Sequence, residues 1–414
     1  MGKRNTGEAG LRATSTELFS RTITADAYSS EKIFIRDADN LYPLRIEKII
    51  NNSPTARRCA ELVSKYIVGL GVEEKQNIVV NKRKNLRVND VLKDIADSIA
   101  YQYGAYIHVD YILNTDSDTG ESLQFGDIEV LDYVRMAKAK DDDDGYNGKL
   151  YMLEMEDEEF KDVQKTTPWF YPFNPNRKVI VSQMRNDCKL KGIDNPSISE
   201  LLRHYRGQVM YLNLTPKYTY ALPLVDSVYN DCDTEYRIGL YNNTQTRTGF
   251  LGKTIIVKQD DDSEEEDDFD EEVAEFLGAE NSSHVFTVTV PKDSTIEDLD
   301  KAFIVKQLQA QFDDKLFEST IRNLRQNILL AFGGIPEPLI LAGNGAMFGT
   351  SGETYLEMKK FLWEQLEGPR SAAEGVFAKL GFPIQVIPIK GLESVDVSET
   401  KGPIKDENNN PINS

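Results

Sequence analysis

The chain has 414 residues, 48 basic against 68 acidic, for a net charge of −20. That length sets two or three domains or one elaborated one, and 28% charged with 40% hydrophobic residues argues against wholesale disorder. The acid excess argues against a tight, sequence-independent nucleic-acid binder, whose affinity comes mainly from Lys and Arg on phosphates, while leaving loose passage of a duplex past an acidic wall open.

No apolar run approaches the ~18 residues of a membrane span. Met1 to Gly10 lacks the apolar core of a signal peptide. Cys59, Cys188 and Cys232 are odd in number and far apart, which speaks for a reducing compartment rather than a disulfide framework. Three histidines leave almost nothing for a His-rich metal site or relay.

Residues 1–42 read as a flexible polar arm with one short helix. Ser53-Pro54 then opens a helix, with serine as N-cap and proline where no N–H is needed. Cys59, Leu62, Val63, Tyr66 and Ile67 follow at helical spacing, and Gly69 and Gly71 predict a left-handed cap. A second helix is predicted over 89–103 on Val91, Leu92, Ile95, Ala96 and Ile99. From Ala105 the period shortens. Strands are predicted at 106–111, 128–134 and 150–155, with turns at 114–120 and 141–148. Residues 156–221 mix short strands, a Pro/aromatic cluster at 168–175 and a helix near 197–205. Together 43–221 reads as one α+β domain.

A helix is predicted over 222–246 on Val225, Tyr229, Cys232, Tyr236 and Leu240. Strands at 254–257 and 285–290 bracket a run, 260–275, with 12 acidic residues among 16 and no base. A long helix is predicted over 296–332. Residues 333–352 carry six glycines and two prolines, a composition that fits a functional or mobile loop. Thr350 and Glu353 have capping-box spacing for the next helix. Gly368-Pro369 should break or kink it. Helix resumes through 372–380, a strand is expected at 384–389, and a polar tail follows.

Gly252-Lys253-Thr254 lacks the P-loop's first glycine, since Arg247 stands there, and it opens a strand instead of a helix. Gly343 to Gly349 has its third glycine one residue late for a dinucleotide fingerprint and no parallel βαβ unit around it. Against a plain linker, Met347 and Phe348 at a glycine-loop tip favour a loop presenting Asn344, Met347 and Phe348 to a ligand. The acidic run fits no EF-hand and reads as a solvated loop. Asn114, Asp116 and Asp118 read as a hairpin turn. No nucleophile elbow, His-Glu-x-x-His helix or Cys–His arrangement is present. His108 reads as a satisfied half-buried residue and His204 as surface or interface.

In order and spacing, several segments resemble the portal proteins of tailed bacteriophages. Asn52-Ser53-Pro54 through Tyr66-Ile67-Val68-Gly69-Leu70-Gly71 is similar to the family's N-terminal helix. Tyr103-Gly104-Ala105-Tyr106 and the strands after it look like the wing. Leu222 to Asn230 resembles the start of the first stem helix. Phe286 to Val290, then Asp298 to Ile328, is similar to the strand and second stem helix that close the clip. Ser351-Gly352-Glu353 looks like the end of the tunnel loop entering the long kinked helix. The resemblance spans about 43–390.

The resemblance implies a portal fold of the α+β class. Its parts are the arm at 1–42, a wing at 43–221, stem helices at 222–246 and 297–332, and a clip at 247–296. A tunnel loop follows at 333–351, then a kinked wing helix at 352–380 and a wing strand at 381–390. The polar tail at 391–414 leaves the crown short or absent. The implied function is a ring, a dodecamer in the virion, at one capsid vertex, assembled in the host cytoplasm, for genome packaging, retention and ejection.

The implied partners are further copies of the chain, the large terminase subunit, a neck or adaptor protein, the major capsid protein and duplex DNA passing without sequence specificity. No membrane, cofactor, metal or catalysis is expected, the terminase ATPase supplying the energy. Gly343, Asn344, Gly345, Ala346, Met347, Phe348 and Gly349 would face the DNA channel. Asp260, Asp261, Asp262, Glu264, Glu265, Glu266, Asp267 and Asp268 would face the motor or adaptor. The rival readings are a virion or scaffold protein without a channel, and a nucleotide hydrolase or nuclease using Lys253 and Thr254 or the carboxylates.

Overall fold

A computed structural model of the chain describes residues 32–37, 39–116, 120–141, 147–156, 159–160, 163–247, 255–259, 286–290, 314–340 and 352–392. The described residues of 32–229 and 325–392 form one compact unit; those between 230 and 324 belong to a second.

The larger unit is α+β. It opens with α1 (Tyr42–Asn52), whose Ile46, Ile49 and Ile50 are buried on one face. Ser53 then caps α2 (Pro54–Val68), its hydroxyl accepting from the Ala56 amide at 3.1 Å. This is the cap-and-proline start expected from the sequence. The short hairpin β1 (Val79–Asn81) and β2 (Leu86–Arg87) leads into α3 (Val88–Gln102), where Val91, Leu92, Ile95, Ala96 and Ile99 are all buried. The chain then forms the long hairpin β3 (Gly104–Asp116) and β4 (Gly120–Leu131), in register from Tyr106↔Leu131 to Asp116↔Gly120.

Next come β5 (Met136–Lys138), β6 (Leu150–Met152), the small pair β7 (Met155–Glu156) and β8 (Glu159–Phe160), and β9 (Trp169–Pro172). Two helices, α4 (Arg177–Leu190) and α5 (Ile198–His204), precede β10 (Gln208–Asn213). Six strands make one sheet in the order β4-β3-β10-β9-β6-β5. Only β9 and β10 run parallel, because α4 and α5 cross between them. Helix α3 packs on β3 and β4, with α2 and α1 outside it.

A 3-10 turn, Leu224–Val228, leads into α6 (Tyr229–Arg247), so the helix expected from 222 begins as a tighter turn after Pro223. In the second unit, β11 (Ile255–Gln259) pairs in parallel with β12 (Phe286–Val290). The expected long helix is described as α7 (Asp314–Ala331); its predicted beginning lies outside the described residues. The chain continues through a 3-10 turn, Glu337–Leu339, to α8 (Gly352–Gln365) and α9 (Glu367–Lys379).

The break between α8 and α9 falls at Leu366, one turn earlier than Pro369 itself. Proline removes its own N–H bond and crowds the carbonyl four residues back, at Gln365, so the helix parts there. Arg370 braces the break: its guanidinium lies 3.6 Å from the Trp363 ring centre and donates to the Trp363 carbonyl at 3.1 Å. Helix α9 then returns onto α2 and α3. The apolar segment after it is not a strand of any length. It makes a single bridge, Val72↔Val386, with Leu70 N–H donating to the Ile387 carbonyl at 2.9 Å.

Candidate functional site

Every tunnel-loop residue named above, Gly343 to Gly349, and every acidic clip residue, Asp260 to Asp268, lies outside the described residues. What the structure defines is how each segment is held at its ends. For the glycine-rich segment both ends lie in the larger unit. Gly333 and Gly334 end α7 with φ of 94° and 69°, a backbone that glycine takes without a Cβ penalty. Phe332, Ile335 and Leu339 around that turn are buried. The Glu337–Leu339 turn packs on α8. The intervening residues 341–351 are therefore bounded by two elements that touch. The acidic run is bounded by β11 and β12, joined from Ile255↔Phe286 to Gln259↔Val290.

Three polar clusters stand out within the larger unit. The first surrounds Arg36. Its guanidinium donates to the Tyr133 and Val134 carbonyls at 3.2 and 2.8 Å and lies 4.9 Å from the Tyr220 ring centre. Tyr220 hydroxyl donates to the Phe34 carbonyl and accepts from the Lys138 amide. Burial pushes the Tyr220 hydroxyl up to about 12, so it stays a neutral tether. The cluster ties residues 33–40 onto the sheet.

The second joins α4 to the sheet. The buried Asp187 carboxylate accepts from Arg206 Nε at 2.8 Å, the Arg206 amide at 3.1 Å and the Tyr171 hydroxyl at 3.0 Å. Arg206 also lies 3.7 Å from the Trp169 ring centre. Gln208 Nε2 donates to Gln183 Oε1 at 2.8 Å, and Gln208 Oε1 accepts from Tyr111 at 2.7 Å. A carboxylate and guanidinium so fully engaged act as a clamp. His108 is satisfied as the sequence implied, with Nε2 3.0 Å from the Arg206 carbonyl and its ring 4.9 Å from Phe170.

The third is an acidic cleft of about 370 Å³ lined by Glu47, Asp94, Asp97, Tyr101, Gln102 and Asp132, among others. Burial holds the Glu47 carboxyl above its ordinary value against the hydrogen bond from Gln102, with Asp132 adding to the rise. Burial, then Asp97 and Asp90, do the same for Asp94. No His, Cys or Lys lines the cleft. Among the described residues no three His, Cys, Asp or Glu side chains are placed to hold a metal. Nor is any helix among them long and apolar enough to cross a membrane. Composition alone marked neither the clamp nor the cleft, since both draw on residues far apart in sequence.

No protein-family profile matches the chain, and no curated protein matches it. Solved structures resembling it include a chain from the virion of a native gene transfer agent particle (12% identity, TM-score 0.40, 84% of each chain covered). Others are from the neck of the empty particle computed with C6 symmetry (12%, 0.40, 86% of each) and the neck of the native particle computed with C12 symmetry (10%, 0.43, 87% of each). Likeness at these scores assigns neither a fold family nor a function.

Proposed function

We propose that the chain is a structural protein of a phage-like head-to-tail junction and, more narrowly, a portal subunit. Copies would close a ring at one capsid vertex through which duplex DNA is packaged, retained and released. The observation that carries the reading is the order of elements. Helix α6, a β insert around an acidic run, helix α7, a glycine-rich segment and the broken helix α8–α9 follow one another, and the last returns onto α2 and α3.

A ring that conducts DNA must surround it without gripping it. A chain with net charge −20 repels phosphate and lets a duplex slide. In this reading 341–351 reaches the axis from a rigid base. The acidic insert faces a large terminase subunit during packaging and a neck or adaptor protein afterwards, and the outer face meets the major capsid protein. The chain performs no catalysis; a separate terminase ATPase supplies the energy.

Electron microscopy of purified protein tests this directly: rings with a central hole are expected, and compact monomers across salt and concentration would overturn it. Replacing 341–349 by a short Gly-Ser linker should leave rings intact and impair DNA filling. ATP turnover or Mg-dependent DNA cleavage by the pure chain would return the enzyme reading.

A further inference from the structure

One groove on the larger unit has no carboxylate among its lining residues. It encloses about 250 Å³ between Tyr111, Leu123, Phe125 and Ile180, together with Arg177 and Lys379. In so acidic a chain, cations commonly find partners, as Arg45, Arg83 and Arg206 do. Arg177 and Lys379 make no ion pair or side-chain hydrogen bond among the described residues. Arg177 is, moreover, the first residue of α4, with no acid in that first turn. A cation at a helix N-terminus is opposed by the helix dipole, so helix formation does not explain its presence. The groove is thus an apolar, aromatic slot flanked by two cations without partners among the described residues.

Its electrostatic counterpart lies elsewhere on the same unit. On α8, Phe361 is 44% exposed. Glu357, four residues before it, and Glu364, three after, share its face, and both are exposed. Neither makes an ion pair among the described residues. Lys359 lies 4.8 Å from the Tyr355 ring centre, and Lys360, three residues after Glu357 and four before Glu364, makes no ion pair with either among the described residues. Here an aromatic side chain projects between two carboxylates. The groove takes Lys379 from the far end of α9, whereas α8 joins the near end, so the patches are separate.

We propose that Phe361 of one copy enters the groove of a second copy, with its Glu357 and Glu364 facing Arg177 and Lys379. The two patches share no residue, so the contact is heterologous. Repeated contacts of that type close a ring or run on as a filament. Nucleic-acid phosphate fits the groove less well, because two cations amid aliphatic and aromatic walls neutralise few phosphates. The ring is taken from the function proposed above; the contact itself rests on the two patches.

Sedimentation velocity of the full chain tests the contact. R177E/K379E and E357K/E364K should each raise the concentration for half-assembly at least about tenfold, two flanking charge pairs being inverted into repulsion. F361S should do the same without a charge change. The four-residue swap, carrying both pairs of reversals in one chain, should recover assembly close to wild type. All five side chains are exposed, and unchanged thermal melting of each variant keeps folding out of the readout.

Unaltered assembly of R177E/K379E, or no recovery in the swap, would overturn the contact. So would unchanged assembly accompanied by loss of binding to a 20-base-pair duplex, which would assign the groove to phosphate. Closed rings persisting in R177E/K379E under the microscope would remove the contact and leave the ring reading standing. Open chains of wild type that R177E/K379E disperses would sustain the contact and remove the ring reading.

Discussion

Replacing Tyr106 by Phe deletes one oxygen atom at the centre of the larger unit. Tyr106 is fully buried, its ring stacked on Tyr211 with centroids 4.3 Å apart and planes 11° from parallel, and its hydroxyl has no hydrogen-bond partner among the described residues. A buried hydroxyl without a partner carries a desolvation penalty of about 1–3 kcal/mol. Phe keeps the stack and removes the penalty, so Tyr106→Phe should stabilise the unit by about 1 kcal/mol once the small void is counted. The same substitution at Tyr220 should act oppositely. Its hydroxyl bridges the Phe34 carbonyl and the Lys138 amide, and its loss leaves two backbone groups short of a partner, at about 1–3 kcal/mol. Urea unfolding followed by Trp169 and Trp363, the chain's two tryptophans, reads this unit directly. The expected result is midpoints displaced in opposite directions at equal m-value. A Tyr106→Phe loss as large as that of Tyr220→Phe would show that the Tyr106 hydroxyl is satisfied and would refute the reasoning.

Asp187→Ala should destabilise by about 3–5 kcal/mol, because it strands Arg206 beside a buried site; a double-mutant cycle with Arg206→Ala would show coupling well above additivity. Gly69→Ala should cost about 2–4 kcal/mol, since Gly69 has φ 58° and a Cβ there would clash with the Ile387 carbonyl; chemical unfolding checks it. Glu47→Gln should flatten the pH dependence of stability. The folded chain holds the Glu47 proton more tightly than the unfolded chain, so stability falls as pH rises from the ordinary carboxyl value through the raised one. The variant, which can still accept from Gln102, should lose that slope in a pH series of urea midpoints.

Helix α2 was legible because cap, proline and apolar period agree, and α3 by its apolar period alone: every expected apolar position of either is buried. Helix α1, which follows the polar arm, was not predicted, since Leu41 provides no side-chain cap and its apolar face is only three isoleucines and a proline. Helix α4 escaped for a different reason. Its buried face is Ile180, Met184, Asp187 and Cys188, and a buried Asp reads as surface until Arg206 and Tyr171 are seen to close on it. Strand β10 belongs beside β3 only through a crossover that local periodicity cannot reveal. Gly69 was read as a left-handed cap. It does have positive φ, but with ψ −130°, because its backbone turns to meet the 386–387 segment. The candidate channel segment and the acidic run were legible as composition, and they remain readings of composition, since both lie outside the described residues.

The sensitivity of the glycine-rich segment to mutation should lie mostly outside it. Its described boundaries are a glycine pair at positive φ, a turn held by buried Phe332, Ile335 and Leu339, and α8, seated by Leu362. Eleven residues join its touching ends, and closing that length costs little more than closing a shorter loop. Shortening it by a few residues should therefore change stability little. Truncating the buried side chains at its base should cost stability instead. In a ring that places one such segment from each copy at a common axis, an error at the base is repeated around the circle. Under the proposed function, that repetition would make the apolar residues at the base, rather than Gly343, Gly345 and Gly349, the place where the packing of this chain sets the width of a channel.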